Sequence, residues 1–128
     1  MAPTPITFGD RLRELRLQAQ QYHSLRDFAA KVGLSPTYLS HLENHKVPPP
    51  SEEVIERLAE ALNADKYELF GLAGKVPAEF IETFQRNPKR LADFLRRADE
   101  AGIQSDRDWD RLTAEIHKIH GEIKRKKR

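Results

Sequence analysis

Apolar positions in residues 7–73 recur every three or four residues, the period of a helix with one buried face. Phe8, Leu12, Leu15 and Ala19 are spaced 4-3-4 and predict a first helix, opened by Thr7 with Asp10 three residues on. Leu25, Phe28, Ala29 and Val32 line a second helix, opened by Ser24 and Asp27. Gly33 supplies the left-handed residue that ends it. Ser35 caps a third helix, and Pro36 takes its first position, where a missing N–H costs nothing. Tyr38, Leu39 and Leu42 form its apolar face, and three prolines at 48–50 follow it. Ser51 caps a fourth helix, with Glu52 and Glu53 at its positive end. Its stripe is Val54, Ile55, Leu58, Ala59 and Leu62, and residues 66–73 predict a short fifth helix.

Gly74 to Pro77 marks a boundary, dividing the chain into 1–74 and 75–128. Beyond it, Phe80, Ile81 and Phe84 mark a helix that stops at Asn87-Pro88. Leu91, Phe94, Leu95 and Ala98 mark another, ending at Gly102, and Ser105 caps the last. Along that last helix Trp109, Leu112, Ile116, Ile119 and Ile123 are spaced 3-4-3-4, a heptad stripe over two repeats. Such a stripe serves either a helix folded back on its own chain or a dimer interface. The fold class is therefore all-α: five helices, then about three more, with no strand and no internal repeat.

Composition narrows the class. A chain of 128 residues holds one domain, or a small domain with an appendage. Charged residues make up 33% and hydrophobic ones 38%, as in a soluble helical protein. Cysteine is absent, which removes disulfides and thiolate metal sites and fits a reducing cytoplasm. Neither a signal peptide nor a run of ~20 apolar residues is present. The pI near 9.0 comes from the tail "KRKKR", since residues 51–77 and 78–123 are each net acidic. That tail reads as a solvated helix end able to add nonspecific phosphate contacts. Bulk charge thus argues nothing for nucleic acid, and local geometry has to.

Residues 25–44 combine a small Ala29, a turn at Gly33 and a second helix packed back through Leu39 and Leu42. These are the needs of a helix-turn-helix, whose second helix offers one face to the major groove. Thr37, Ser40, His41 and Asn44 fall at i, i+3, i+4 and i+7 and share that face. Small and polar, with few charges, it suits base edges. Arg11, Arg13 and Arg26 read either as phosphate clamps or as ordinary surface charges, and Tyr38 reads as half-buried.

The stretch "SLRDFAAKVGLSPTYLSHLENHKVPPPS" resembles the phage-repressor-like helix-turn-helix family of bacterial transcriptional regulators, the lambda-repressor or Xre-like type. The likeness covers roughly residues 7–73, including "PPPSEEVIERLAEAL" as the family's fourth helix. It implies a five-helix DNA-binding domain. Carried over by position, Pro36, Thr37 and His41 would contact bases, with Ser40 on the same face. Tyr38, Asn44 and Lys46 would face phosphates, and so would the start of the second helix at Ser24 and Arg26. A buried ion pair would join Arg16 to Glu43. Many members carry glutamine where this chain has Leu25 and Pro36, so contacts shift to Arg26, Thr37 and His41. Position 45 is usually a left-handed glycine, which puts strain on His45. The first helix also looks about two residues longer than usual before Ser24.

The resemblance further implies a regulator, here a repressor, acting as a homodimer on double-stranded operator DNA. Short repressors of this build are often encoded beside a zinc metallopeptidase that relieves repression, and the linkers at 74–77 and 101–105 would be within its reach. The rival reading is an antitoxin-like interaction module, whose last helices bind a toxin-like protein. His117 and His120 lie at i and i+3 with Glu115 near, but no third ligand is evident and HKIH is not HExxH. A Gly-rich phosphate loop and a nucleophile elbow are both missing, so neither an enzyme nor a cofactor is expected.

Overall fold

A computed structural model describes residues 6–22 and 24–127. Arg128, the last residue of the basic tail, lies outside the described residues. The fold is all-helical. The elements are α1 (Phe8–Gln18), a 3-10 turn (Gln20–Tyr22), α2 (Leu25–Val32), α3 (Pro36–Glu43), α4 (Glu52–Leu62), α5 (Lys66–Leu72), α6 (Ala78–Arg86), α7 (Pro88–Glu100) and α8 (Asp106–Lys126). The chain divides into two compact units, one running to Ile81 and one from Glu82 onward.

Helix starts are set by side-chain caps. Thr7, Ser24, Ser35, Ser51 and Ser105 each accept a bond from the backbone N–H three residues on. Asp65 does the same for α5, two residues on. Ends are set by left-handed residues: Gly33 at φ 71 closes α2, and Asn63 at φ 51 closes α4. Arg57 on α4 donates to the carbonyl of Val32 at 3.0 Å, fastening that helix to the turn beside Gly33.

The core of the first unit is drawn from all five helices. Leu12, Phe28, Ala29, Leu39, Ile55, Leu58 and Leu69 are wholly buried, with Phe8, Val32, Leu42, Ala59 and Phe70 nearly so. Each large side chain taken out of water contributes about 1.5–3 kcal/mol. One local difference from the sequence reading stands at the end of α1. The helix stops at Gln18, and the extra residues turn into a 3-10 helix instead of extending it. Two contacts hold this turn. The Tyr22 ring lies 5.1 Å from Phe28, and the Tyr22 carbonyl accepts from Arg16 Nη1 at 3.3 Å.

The second unit is built differently. Ala98 is its only buried apolar residue among those described, and Leu91, Ile103 and Leu112 are half-buried. Asp93 holds Arg96 and Arg97 at 2.8 Å along α7. Trp109, Ile116, Ile119 and Ile123 on α8 stay 41%, 53%, 52% and 47% exposed. Leu112, the remaining member of that stripe, is half-buried and lines one concavity with Phe94, Ala98 and Ile103.

Candidate nucleic-acid interface

The helix-turn-helix is α2 and α3. Phe28, Ala29, Leu39 and Leu42 fix their inner faces in the core. That burial leaves the outer face of α3 to solvent. Pro36 and Thr37 are exposed there, and Ser40 and His41 are half-exposed. No charged side chain lies among these four. The face thus offers two hydroxyls and an imidazole, groups that both donate and accept hydrogen bonds.

The flanks carry the groups suited to phosphate. At the start of α2, the Ser24 hydroxyl accepts from the Asp27 N–H at 3.3 Å. Helical geometry leaves the Leu25 and Arg26 N–H groups without a carbonyl partner, and Arg26 is exposed beside them. After α3, Lys46 and Asn44 are exposed. The Asn44 amide folds back on its own helix, donating to the Ser40 carbonyl at 2.8 Å. Tyr38 is half-buried, and its N–H is taken by the Ser35 hydroxyl. Arg11 points elsewhere: it binds Glu14 and Glu68, and the Glu68 hydrogen bond raises its pKa further. Arg13 is exposed.

Behind the face, α1 braces the end of α3. The Arg16 guanidinium meets the Glu43 carboxylate through two bonds, Nε–Oε2 at 2.7 Å and Nη2–Oε1 at 2.9 Å. Both side chains are buried, at 8% and 4% exposure. A fork of this kind fixes orientation as well as distance.

Two further braces escaped the sequence reading. Gly9 lies where a Cβ would come within 2.3 Å of the Leu42 carbonyl oxygen, so only glycine lets α1 approach this closely. A lone glycine in the first turn of a periodic helix was the available signal. The other brace is His45, at φ 61, whose Nε2 lies 3.0 Å from Asp10 Oδ1 and 3.4 Å from Thr7 Oγ1. Bonds from Thr7 and then His45 hold the Asp10 carboxyl below its ordinary pKa.

At the other end of the chain, His117 and His120 are exposed on α8, and among the described residues no group of three His, Asp or Glu side chains could hold a metal ion. Nor is any described helix long and apolar enough to cross a membrane.

A family model described as a helix-turn-helix domain matches residues 7–69. No curated protein matches the chain. A solved structure described as a SinR protein/SinI protein complex aligns with 89% of this chain and 99% of its own, at 19% identity and a TM-score of 0.49. Residues 7–69 of the chain thus carry a helix-turn-helix domain.

Proposed function

We propose that the protein is a sequence-specific repressor that binds operator DNA as a homodimer. The observation that carries the reading is the outer face of α3, polar and open to solvent while the inner face is locked in the core. Laid in a major groove, α3 would bring Pro36, Thr37, Ser40 and His41 to base edges. A well-made side-chain pair to a base discriminates by about 1–3 kcal/mol. Arg26, Lys46, Asn44, Tyr38 and the N-terminus of α2 at Ser24 would meet phosphates and set the register. Repression follows from occupancy: a bound regulator blocks whatever else must use that stretch of duplex.

The homodimer rests on the exposed apolar row of α8. Residues 1–74 would read DNA and residues 75–128 would assemble the dimer, through Trp109, Ile116, Ile119 and Ile123, with Leu112 behind them. Two readers on one duplex gain affinity through effective concentration, which a domain of small net charge needs. A repressor of this kind would work in the cytoplasm. A metallopeptidase would lift repression by cutting near 74–77 or 101–105. If incubation with such an enzyme leaves the chain whole and its binding unaltered, that part is withdrawn.

The test is selection of bound duplexes from a random pool, followed by titration across salt. The proposal expects a palindromic site and an affinity that falls with salt in proportion to phosphate contacts. A pool that stays unenriched at moderate salt refutes it. The same exposed row favours a second reading, in which a toxin-like protein covers α8 and the helix-turn-helix is scaffold. A chain that selects no DNA and stays monomeric would favour that reading.

A further inference from the structure

We infer that His45 is a positioning residue for duplex binding, clamping the loop after α3 to the first turn of α1 so that Asn44 and Lys46 keep fixed places beside the recognition face. This rests on the reading of α3 as the helix that enters the groove. The closure of α3 has a Schellman pattern: the Lys46 N–H donates to the His41 carbonyl at 2.9 Å, with left-handed His45 between. Glycine would take that conformation without strain, whereas a residue with a Cβ pays for it. The imidazole supplies what glycine lacks. Its Nε2–H donates to Asp10 Oδ1 at 3.0 Å, with Thr7 Oγ1 at 3.4 Å from the same nitrogen. Thr7 is itself the N-cap of α1, accepting from the Asp10 N–H at 3.2 Å. The clamp therefore joins the loop to a capped, anchored helix start.

Other charged groups near the ring are few. Asp10 faces it from α1, Arg13 acts on Asp10 from the same helix, and Lys46 is the next residue in the chain. Apart from His45, the groove beside the ring, between Ile6 and Leu72, is lined by uncharged groups. Opening the clamp thus frees the loop without deleting any proposed phosphate contact.

The sign of the effect separates positioning from bulk charge. Removing the Asp10 carboxylate by itself should strengthen binding to a polyanion. The clamp requires the opposite. The test uses the full chain and the duplex enriched from the pool, comparing wild type, Asp10→Asn, His45→Gly and the double variant. Each single change is expected to weaken binding roughly threefold, the scale of one exposed ionic contact. The double variant is expected to bind no more weakly than either single, because both open one clamp. Tighter binding by Asp10→Asn, or two losses that multiply, would overturn the inference.

A second readout needs no DNA. In the free protein the Lys46 amide, bonded to the His41 carbonyl, should exchange with solvent faster in Asp10→Asn than in wild type. A Lys46 amide that exchanges equally fast in both also overturns the clamp. A wild-type chain that enriches no duplex overturns the groove reading and the binding role together, while amide exchange still decides the clamp.

Discussion

The two units use apolar residues in opposite ways. In the first, twelve apolar side chains are buried in one cluster shared by α1 to α5. In the second, among the described residues, Ala98 is the only buried apolar residue, and Trp109, Ile116, Ile119 and Ile123 of α8 face water. The first unit is a finished core whose polar outer face is free to serve binding. The second has helix periodicity with little buried apolar surface, and most of the α8 stripe stays exposed. The same 3.6-residue pattern therefore means two things. Caps and turns that bring helices together convert a stripe into a core, whereas on α8 the stripe stays exposed.

The sharpest way to break this contrast is to make similar truncations in both units. Phe28→Ala should cost about 3–5 kcal/mol of unfolding free energy, read by denaturant titration. Ile116→Ala should leave the unfolding of a dilute, monomeric chain nearly unchanged. Comparable losses at both sites would mean that α8 is packed on its own chain. Next comes the buried pair. Glu43→Leu should cost roughly 3–5 kcal/mol, because Arg16 keeps its charge in a buried site. The double change Arg16→Met with Glu43→Leu should recover most of that loss. If the double is as unstable as the single, the pair contributes more than charge balance.

Gly9→Ala should cost about 1–3 kcal/mol, since its Cβ meets a backbone carbonyl that cannot move aside easily. Thermal unfolding without loss would show that α1 can shift away from α3. The smallest effect concerns acid. Asp10 is held below its ordinary pKa by Thr7 and His45, so its contribution is present above the unfolded carboxylate range and fades as pH falls through the folded value. Wild type should therefore lose slightly more stability on acidification than Asp10→Asn does. Equal losses would mean that the Asp10 bonds contribute nothing to folding.

Much of the first unit was legible because its information is local. Thr7, Ser24, Ser35, Pro36 and Gly33 declare helix ends within three or four residues of where they act. The inner face of α3 follows from the spacing of Leu39 and Leu42, and its outer face follows by subtraction. What was not legible depends on residues brought together from far along the chain. Nothing near Gln20 announces a 3-10 turn, because Tyr22 is held by Phe28 and Arg16. Asp10 and His45 are thirty-five residues apart; the one reads as a helix-start residue and the other as a strained turn residue, and neither announces the other. Arg11 looked equally available to phosphate until α5 placed Glu68 beside it. Arg16 and Glu43 were singled out by resemblance rather than periodicity, since no hydrophobic pattern marks a buried ion pair. On α8 the heptad was plain, but spacing cannot say that Leu112 is half-buried while Trp109 and the three isoleucines stay exposed.

The most direct measurement is the stoichiometry of the complex between the full chain and its selected duplex, by sedimentation velocity, for wild type and Ile119→Glu. The account predicts two copies of wild type per duplex, and for the variant a monomer that binds at least tenfold more weakly although its fold is intact. A wild-type chain that binds as one copy, or a variant that still binds as two, would contradict the assignment of reading to the first unit and assembly to the second.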